Sequence, residues 1–326
     1  MKSMKKKIVG FLCVVIFLGI LVMLFIKSNT INDNMNNLES EEMSDAELLI
    51  YSAGTGDLEE VKELLESGMN INIINVSNGM TLLHYAINSG HLDIANYLIE
   101  NGIDTNVIDN YGNTPLMLAV FAGYEEIYEK IIDDKRINDC DGMGNSLLNL
   151  AAFSGNVSIY NDIYSRGCDI NKANTMGKTS VYYAGNIKMF ENIIEKLNIK
   201  DIDNDMCKDL FLNSMSAEMV KYFIEKYEVD VNIVDMDGTN AFVYALRNNN
   251  YEVAEELIEQ GLNVNYIDNK GMTALMYCAE ENMVEYAQLL INNNADISIK
   301  TEDGKNAKQI AEEMGSNEIL ELLGGE

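Results

Sequence analysis

The sequence predicts an all-α repeat solenoid that is preceded by one transmembrane helix. Two observations favour this fold class: a run of 19 uncharged residues at 8–26, and a pattern of about 33 residues that recurs from residue 45 to the end. A repeat of that length holds one pair of short helices, which bury their apolar sides only by stacking on neighbouring repeats. We therefore expect one continuous array over 45–326 and not two globular domains.

Residues 8–26 are long enough to cross a bilayer, since they would span about 28 Å as an α-helix. Four lysines precede the run within residues 1–7, one lysine follows it, and acidic residues come next. The positive-inside bias places residues 1–7 in the cytoplasm as a basic flank and residues 28–326 across the membrane. The alternative is a signal peptide that is cleaved before secretion, although the run is longer than a usual signal core and 27–30 (KSNT) is a poor cleavage site.

Residues 28–44 are rich in Asn, Ser and acid, which is typical of a flexible linker. The first 27 residues hold five of the 23 basic residues and no acid, so residues 28–326 carry 18 basic and 52 acidic residues, a net charge of −34. Such a body repels phosphate backbones and anionic headgroups. We expect no nucleic-acid binding and no membrane contact other than the N-terminal helix.

The repeat is phased by a threonine-like residue, and positions are counted from it below. In the full-length repeats before the last one, positions +2, +13 and +17 are apolar, as expected for two amphipathic helices. The glycine at +9 is expected to end the first helix in a left-handed conformation. A degenerate copy around Asp209 and another copy before the first phasing residue bring the total to nine repeats. The phasing residues are Thr81, Thr114, Ser146, Thr179, Asn240, Thr273 and Asn306.

Short motifs recur at a fixed phase of the repeat. They are 79–86 (GMTLLHYA) with Gly90 and His91, 112–116 (GNTPL), 271–275 (GMTAL), and the turns 229–232 (VDVN) and 262–265 (LNVN). With these motifs the repeats resemble the ankyrin repeat. The resemblance implies helix-turn-helix units joined by β-hairpin-like loops, a role in protein–protein interaction, and no catalysis. It also implies that His84 and His91 occupy structural positions of the family.

Two copies depart from the pattern, at 176–200 and at about 204–230. In the first, 184–186 (AGN) runs directly into the second helix, and the second copy is similarly short. We therefore expect a shortened first helix in both copies. In a repeat array, cooperativity fails at the poorest interface. We therefore expect a weak joint over residues 176–235, with the fastest hydrogen exchange there and two unfolding transitions, one for about 45–175 and one for about 236–326.

The sequence indicates neither a catalytic site nor a metal or cofactor site. The chain has two histidines, and its cysteines outside 8–26 lack a C-x-x-C spacing. The segment 201–205 (DIDND) begins like a calcium loop, but Met206 and Leu212 stand where that loop needs Gly and Glu. Free thiols fit an oxidising exterior poorly, so the redox state of the cysteines stays open.

The family resemblance implies a concave partner-binding face made of hairpin tips and the exposed sides of first helices. Phe121 and Phe153 share the +7 position and should lie side by side, either as an interface hot spot or merely packed between repeats. The surrounding acid favours a protein partner with a basic or mixed apolar and basic surface. The chain itself is expected to be monomeric. Two other functions stay open: a structural spacer or stalk without a specific ligand, and an inhibitor or immunity-type protein that caps a basic partner. The candidate partner-binding residues are Met80, Tyr111, Asn113, Phe121, Met143, Asn145, Phe153, Met176, Arg247 and Met272, with Met236, Asn248 and Lys270 at related positions.

Overall fold

The computed structural model describes residues 43–198, 204–214 and 216–324. The chain divides between Leu197 and Asn198 into two compact units, called unit 1 and unit 2 and described separately. This division falls inside the range 176–235, where the weak joint is predicted. The helix predicted at 8–26 and most of the linker lie outside the described residues. Within the described ranges, no helix combines the length and the apolar composition needed to cross a bilayer.

The described part of unit 1 consists of five successive helix pairs. The first helix of the fifth pair is a four-residue 3-10 helix, as the shortened copy at 176–200 predicts. The pairs are α1 (Asp45–Thr55) and α2 (Leu58–Glu66), α3 (Leu82–Ser89) and α4 (Leu92–Glu100), α5 (Pro115–Ala122) and α6 (Glu125–Ile131), α7 (Leu147–Ser154) and α8 (Val157–Ser165), and the 3-10 helix (Ser180–Tyr183) with α9 (Ile187–Lys196); a further 3-10 turn covers Asp134–Arg136.

The described part of unit 2 holds four further pairs. The copy at 204–230 was expected to have a shortened first helix, but α10 spans nine residues, so this detail of the prediction is wrong. This copy is shorter than a full repeat, but the missing residues are outside its first helix. The pairs are α10 (Asn204–Leu212) and α11 (Ala217–Tyr227), α12 (Ala241–Arg247) and α13 (Tyr251–Glu259), α14 (Ala274–Glu281) and α15 (Val284–Asn292), and α16 (Ala307–Met314) and α17 (Asn317–Leu322).

The phasing residue is the N-cap of the first helix in these repeats. The hydroxyl of Thr114 accepts a hydrogen bond from the Met117 amide, and the side chain of Asn240 accepts from the Val243 amide in the same way. A capping side chain satisfies an amide that has no partner inside the helix and stabilises the helix by about 1 kcal/mol. The short side chains at this phase therefore fix where each first helix begins.

The predicted end of the first helix is confirmed at the +9 position. Gly123 at this position is left-handed with φ +73°. In α14 the +9 residue is Asn282, which adopts the same region at φ +53°. Glycine and asparagine tolerate this conformation best, which explains why these residue types end the helices. The predicted apolar positions form the core, where Leu83, Ile94 and Leu98 are fully buried.

Candidate partner-binding surface

A ladder of backbone hydrogen bonds connects the hairpin tips of unit 1. The Asn110 amide donates to the Asn78 carbonyl at 2.9 Å, the Gly142 amide to the Tyr111 carbonyl at 3.1 Å, and the Thr175 amide to the Met143 carbonyl at 3.1 Å. Each bond joins the tips of adjacent repeats. The ladder therefore holds four tips in one row, which is called the tip row below.

Apolar side chains project from the tip row. Tyr111 is 45% exposed and Met176 is 43% exposed. Met143, on the tip between these two, is half-buried. Sequence reasoning missed Val76, which is 98% exposed at the tip that precedes Tyr111. It was missed because its hairpin is one residue longer than the repeat phase assumes. The tip row thus presents one apolar residue at each of four successive tips.

Phe121 of α5 and Phe153 of α7 lie side by side, as their shared phase predicts. The two ring centroids are 4.8 Å apart, and the ring planes differ by 12°. Both residues remain half-buried, so the rings pack on each other and still present surface to solvent. A stacked pair of this kind is rigid because each ring restricts the rotamers of the other.

Three residues predicted to bind a partner, Met80, Asn113 and Asn145, instead make contacts within the hairpins. Met80 is buried, and Asn145 is 1% exposed. The side-chain amide of Asn145 donates to Asp141 Oδ2 at 2.9 Å, and that of Asn113 donates to Asp109 Oδ2 at 3.3 Å. These side chains therefore hold the tips in shape, and Met80 and Asn145 offer a partner almost no surface in this conformation.

The remaining predicted residues belong to unit 2. The Arg247 guanidinium lies 5.6 Å and the Lys270 ammonium 6.0 Å from the ring centroid of Tyr277. Met236 is 98% exposed, and Met272 is half-buried. Arg247 and Lys270 therefore lie beside an aromatic ring that is itself buried. They form a set separate from the residues of unit 1.

Sequence reasoning also missed a tyrosine at +4 that closes the hairpins. In unit 2 the Tyr244 hydroxyl donates to Asp235 Oδ2 at 2.8 Å, and the Tyr277 hydroxyl donates to Asp268 Oδ2 at 2.5 Å. Burial, followed by the hydrogen bond to Asp268, raises the pKa of Tyr277. The hydroxyl therefore stays protonated and satisfies a carboxylate that is itself buried.

His84 has a structural role. Its Nδ1 lies 3.2 Å from the Thr81 amide, and its Nε2 lies 3.3 Å from the Asn113 carbonyl of the next repeat. The first contact needs an acceptor and the second a donor, which defines the neutral tautomer with hydrogen on Nε2. His91 Nε2 similarly lies 3.2 Å from the Gly54 carbonyl. Each imidazole thus links adjacent repeats.

We expect His84 to make the folded state sensitive to mild acid. Burial lowers the pKa of His84 below its ordinary value near 6.5. The unfolded chain therefore binds this proton more readily, so the contribution of His84 is complete above pH 6.5 and is lost as the pH falls below it. Asn149 occupies the same +3 position and donates to the Lys178 carbonyl at 3.3 Å, so His84→Asn should keep the contact and remove the titration.

Urea denaturation of both forms between pH 7.5 and 5.5 measures this contribution. Stability of the natural chain should fall more steeply with decreasing pH than that of His84→Asn. Parallel curves would show that His84 titrates alike in the folded and unfolded states.

The described residues contain no group of three or more His, Cys, Asp or Glu side chains placed to hold a metal ion. Cys140, Cys168, Cys207 and Cys278 are free thiols. Burial raises the pKa of the Cys278 thiol, which makes it a poor nucleophile.

The comparison with protein families agrees with the phased motifs. The family described as "Ankyrin repeats (3 copies)" matches residues 18–109, 49–143, 206–301 and 263–325. These matches together cover well over half of the chain, so the protein belongs to the ankyrin-repeat family. Residues 144–205 lie outside the matches, and they include the shortened copy at 176–200. No curated protein matches the chain.

Ankyrin-repeat proteins are generally non-catalytic adaptors, and the repeats suggest a module for protein–protein interaction.

Proposed function

We propose that this protein is a membrane-anchored array of nine ankyrin repeats that binds another protein through unit 1, without catalysis. The observation that carries the proposal is the half-exposed stack of Phe121 on Phe153. Pre-ordered aromatic side chains are enriched among the residues that dominate binding energy, because little conformational entropy is lost when they are covered. The tip row adds Tyr111, Met143 and Met176 on neighbouring repeats.

The anchoring part of the proposal depends on residues 8–26. Their uncharged length, the lysines before them and the acid after them favour a single-pass helix with the repeats outside the cytoplasm. Protease treatment of intact cells or spheroplasts tests this topology. Cleavage of the repeats without permeabilisation of the inner membrane is expected, and full protection would reverse the orientation. Release of the repeats into the medium without residues 1–27 would favour the cleaved signal peptide.

The charge of residues 28–326 favours a partner with basic residues beside an apolar patch. Electrostatic attraction accelerates the encounter of such a partner and disfavours acidic competitors. A partner whose enzymatic or toxic activity falls on stoichiometric mixing would favour the inhibitor role. A spacer or stalk would show no specific partner.

The single variants Phe121→Ala and Phe153→Ala should each abolish capture of the partner and leave the fold intact. Removing a hot-spot ring costs about 2 kcal/mol or more of binding free energy, which corresponds to at least about 30-fold in affinity. Crosslinking of the tagged full chain in native membranes, quantified by mass spectrometry, measures the effect. Met236→Ala is the matched control, because Met236 is fully exposed on a tip of unit 2. Equal capture by all three variants would contradict the proposed surface.

A further inference from the structure

In unit 1, charged side chains are absent from the first helices of the repeats that follow the first one. The first helices α3, α5 and α7 and the 3-10 helix contain no Asp, Glu, Lys or Arg, although the chain has 52 acidic residues. The second helices carry the acid instead. They include Glu59, Glu60, Glu63 and Glu66 in α2, Asp93 and Glu100 in α4, and Glu125, Glu126 and Glu129 in α6.

The carboxylates at the hairpin tips of this region accept hydrogen bonds from the backbone of their own hairpins. Asp109 is buried, and its Oδ1 accepts hydrogen bonds from the amides of Tyr111 at 2.9 Å and Asn113 at 2.8 Å. Asp141 is held in the same way by the amides of Met143 and Asn145, both at 2.8 Å. These carboxylates are occupied within their own hairpins. The basic residue of the last tip, Lys178, lies 4.0 Å from the ring centroid of Tyr182.

The aromatic stack therefore lies on first helices that carry no charged side chain, within a strongly acidic chain. A Lys or Arg side chain buried against Phe121 and Phe153 would lose hydration, and these first helices offer no carboxylate to replace it. Desolvation of an unpaired charge is strongly unfavourable. An acidic side chain would meet the same cost and the repulsion of the chain as well.

We propose that the partner segment that covers Phe121 and Phe153 is apolar and uncharged, and that any basic residues of the partner contact only the acidic second helices. This inference rests on the proposed function, because it specifies the partner chemistry of the same surface. It separates two tasks: the apolar segment determines the lifetime of the complex, and the acid accelerates its formation. Added salt should accordingly slow association and leave dissociation nearly unchanged.

A selection from phage-displayed peptides of about 12 residues tests this inference. The full chain in lipid nanodiscs is the target, and the Phe121→Ala/Phe153→Ala double variant removes peptides that bind elsewhere. Peptides that depend on the stack should share an uncharged apolar centre. Stack-dependent peptides with Lys or Arg at the centre would overturn the inference. Failure to recover any stack-dependent peptide would contradict the proposed function itself.

Two variants of opposite charge give an independent readout. Ala122 is exposed and adjoins Phe121 in α5. Ala122→Glu and Ala122→Lys should both weaken the selected peptides, each by about tenfold, because either charge must be desolvated. A basic partner segment would instead bind Ala122→Glu more tightly and Ala122→Lys more weakly, which would overturn the inference. Asn248→Glu and Asn248→Lys are matched controls, since Asn248 is exposed at the same +8 position in unit 2.

Discussion

Replacing Phe242 by alanine is expected to destabilise unit 2 by about 3–5 kcal/mol, because it removes a large side chain from a close-packed core. Phe242 of α12 is fully buried, and its ring meets Tyr286 of α15 edge to face at 6.3 Å between centroids. The stacked repeats leave little freedom to close the resulting cavity. Urea unfolding followed by circular dichroism, with hydrogen exchange resolved along the chain, measures the loss.

The same variant tests the predicted weak joint. If residues 176–235 uncouple the two ends of the array, Phe242→Ala should lower the transition assigned to 236–326 and leave that of 45–175 in place. Met236→Ala, which removes only exposed surface, should leave both transitions unchanged. Movement of both transitions together, or a single sharp transition, would show that the array unfolds as one body.

Alanine at Gly112 should damage the tip row far more than alanine at Gly304. Both glycines stand two residues before a phasing residue and are left-handed, at φ +85° and +81°. A Cβ on Gly112 would lie 2.5 Å from the Gly142 amide nitrogen, whereas a Cβ on Gly304 would meet nothing within 4 Å. Gly304→Ala should cost about 1 kcal/mol for the backbone alone. Gly112→Ala should cost about 2 kcal/mol more, because the tips must separate and lose a hydrogen bond.

Denaturation of both glycine variants gives the difference in stability, and exchange of the Gly142 amide locates it. Gly112→Ala should also weaken capture of the partner, since the displaced amide is bonded to the carbonyl of Tyr111. Equal losses for the two variants would show that the tips move apart without cost.

The sequence predicted features that depend on repeat phase alone. The phasing residues mark the helix starts, the +9 residues mark the ends, and the +7 residues Phe121 and Phe153 are neighbours. Phase is sufficient here because a helix fixes the direction of every side chain. The direction of a hairpin side chain depends instead on its hydrogen-bond partner. Asn145 was predicted to face a partner but turns inward, because its amide satisfies Asp141.

The residue that donates to the hairpin carboxylate can nevertheless be predicted from the sequence, because it depends on two positions of the repeat, −1 and +4. Where the residue at +4 is leucine, as in Leu118 and Leu150, an asparagine at −1 donates to the hairpin carboxylate. Where +4 is tyrosine, as in Tyr244 and Tyr277, the hydroxyl donates instead and −1 carries another residue. A single repeat does not reveal this exchange. The exchange of donors becomes visible only when the repeats are aligned and the hydrogen-bond donor to each hairpin carboxylate is identified.

This exchange has a consequence for how such arrays diverge. A repeat that loses its asparagine before it gains its tyrosine passes through a form in which Oδ2 of the hairpin carboxylate lacks its side-chain donor, whereas the reverse order keeps that oxygen bonded throughout. The two positions are therefore epistatic, because loss of the asparagine is costly alone and tolerable once the tyrosine is present. Whole repeats, copied or recombined with both positions together, avoid the unfavourable intermediate. Duplication of intact repeats is accordingly an easier evolutionary route to new tip sequences than substitution one residue at a time.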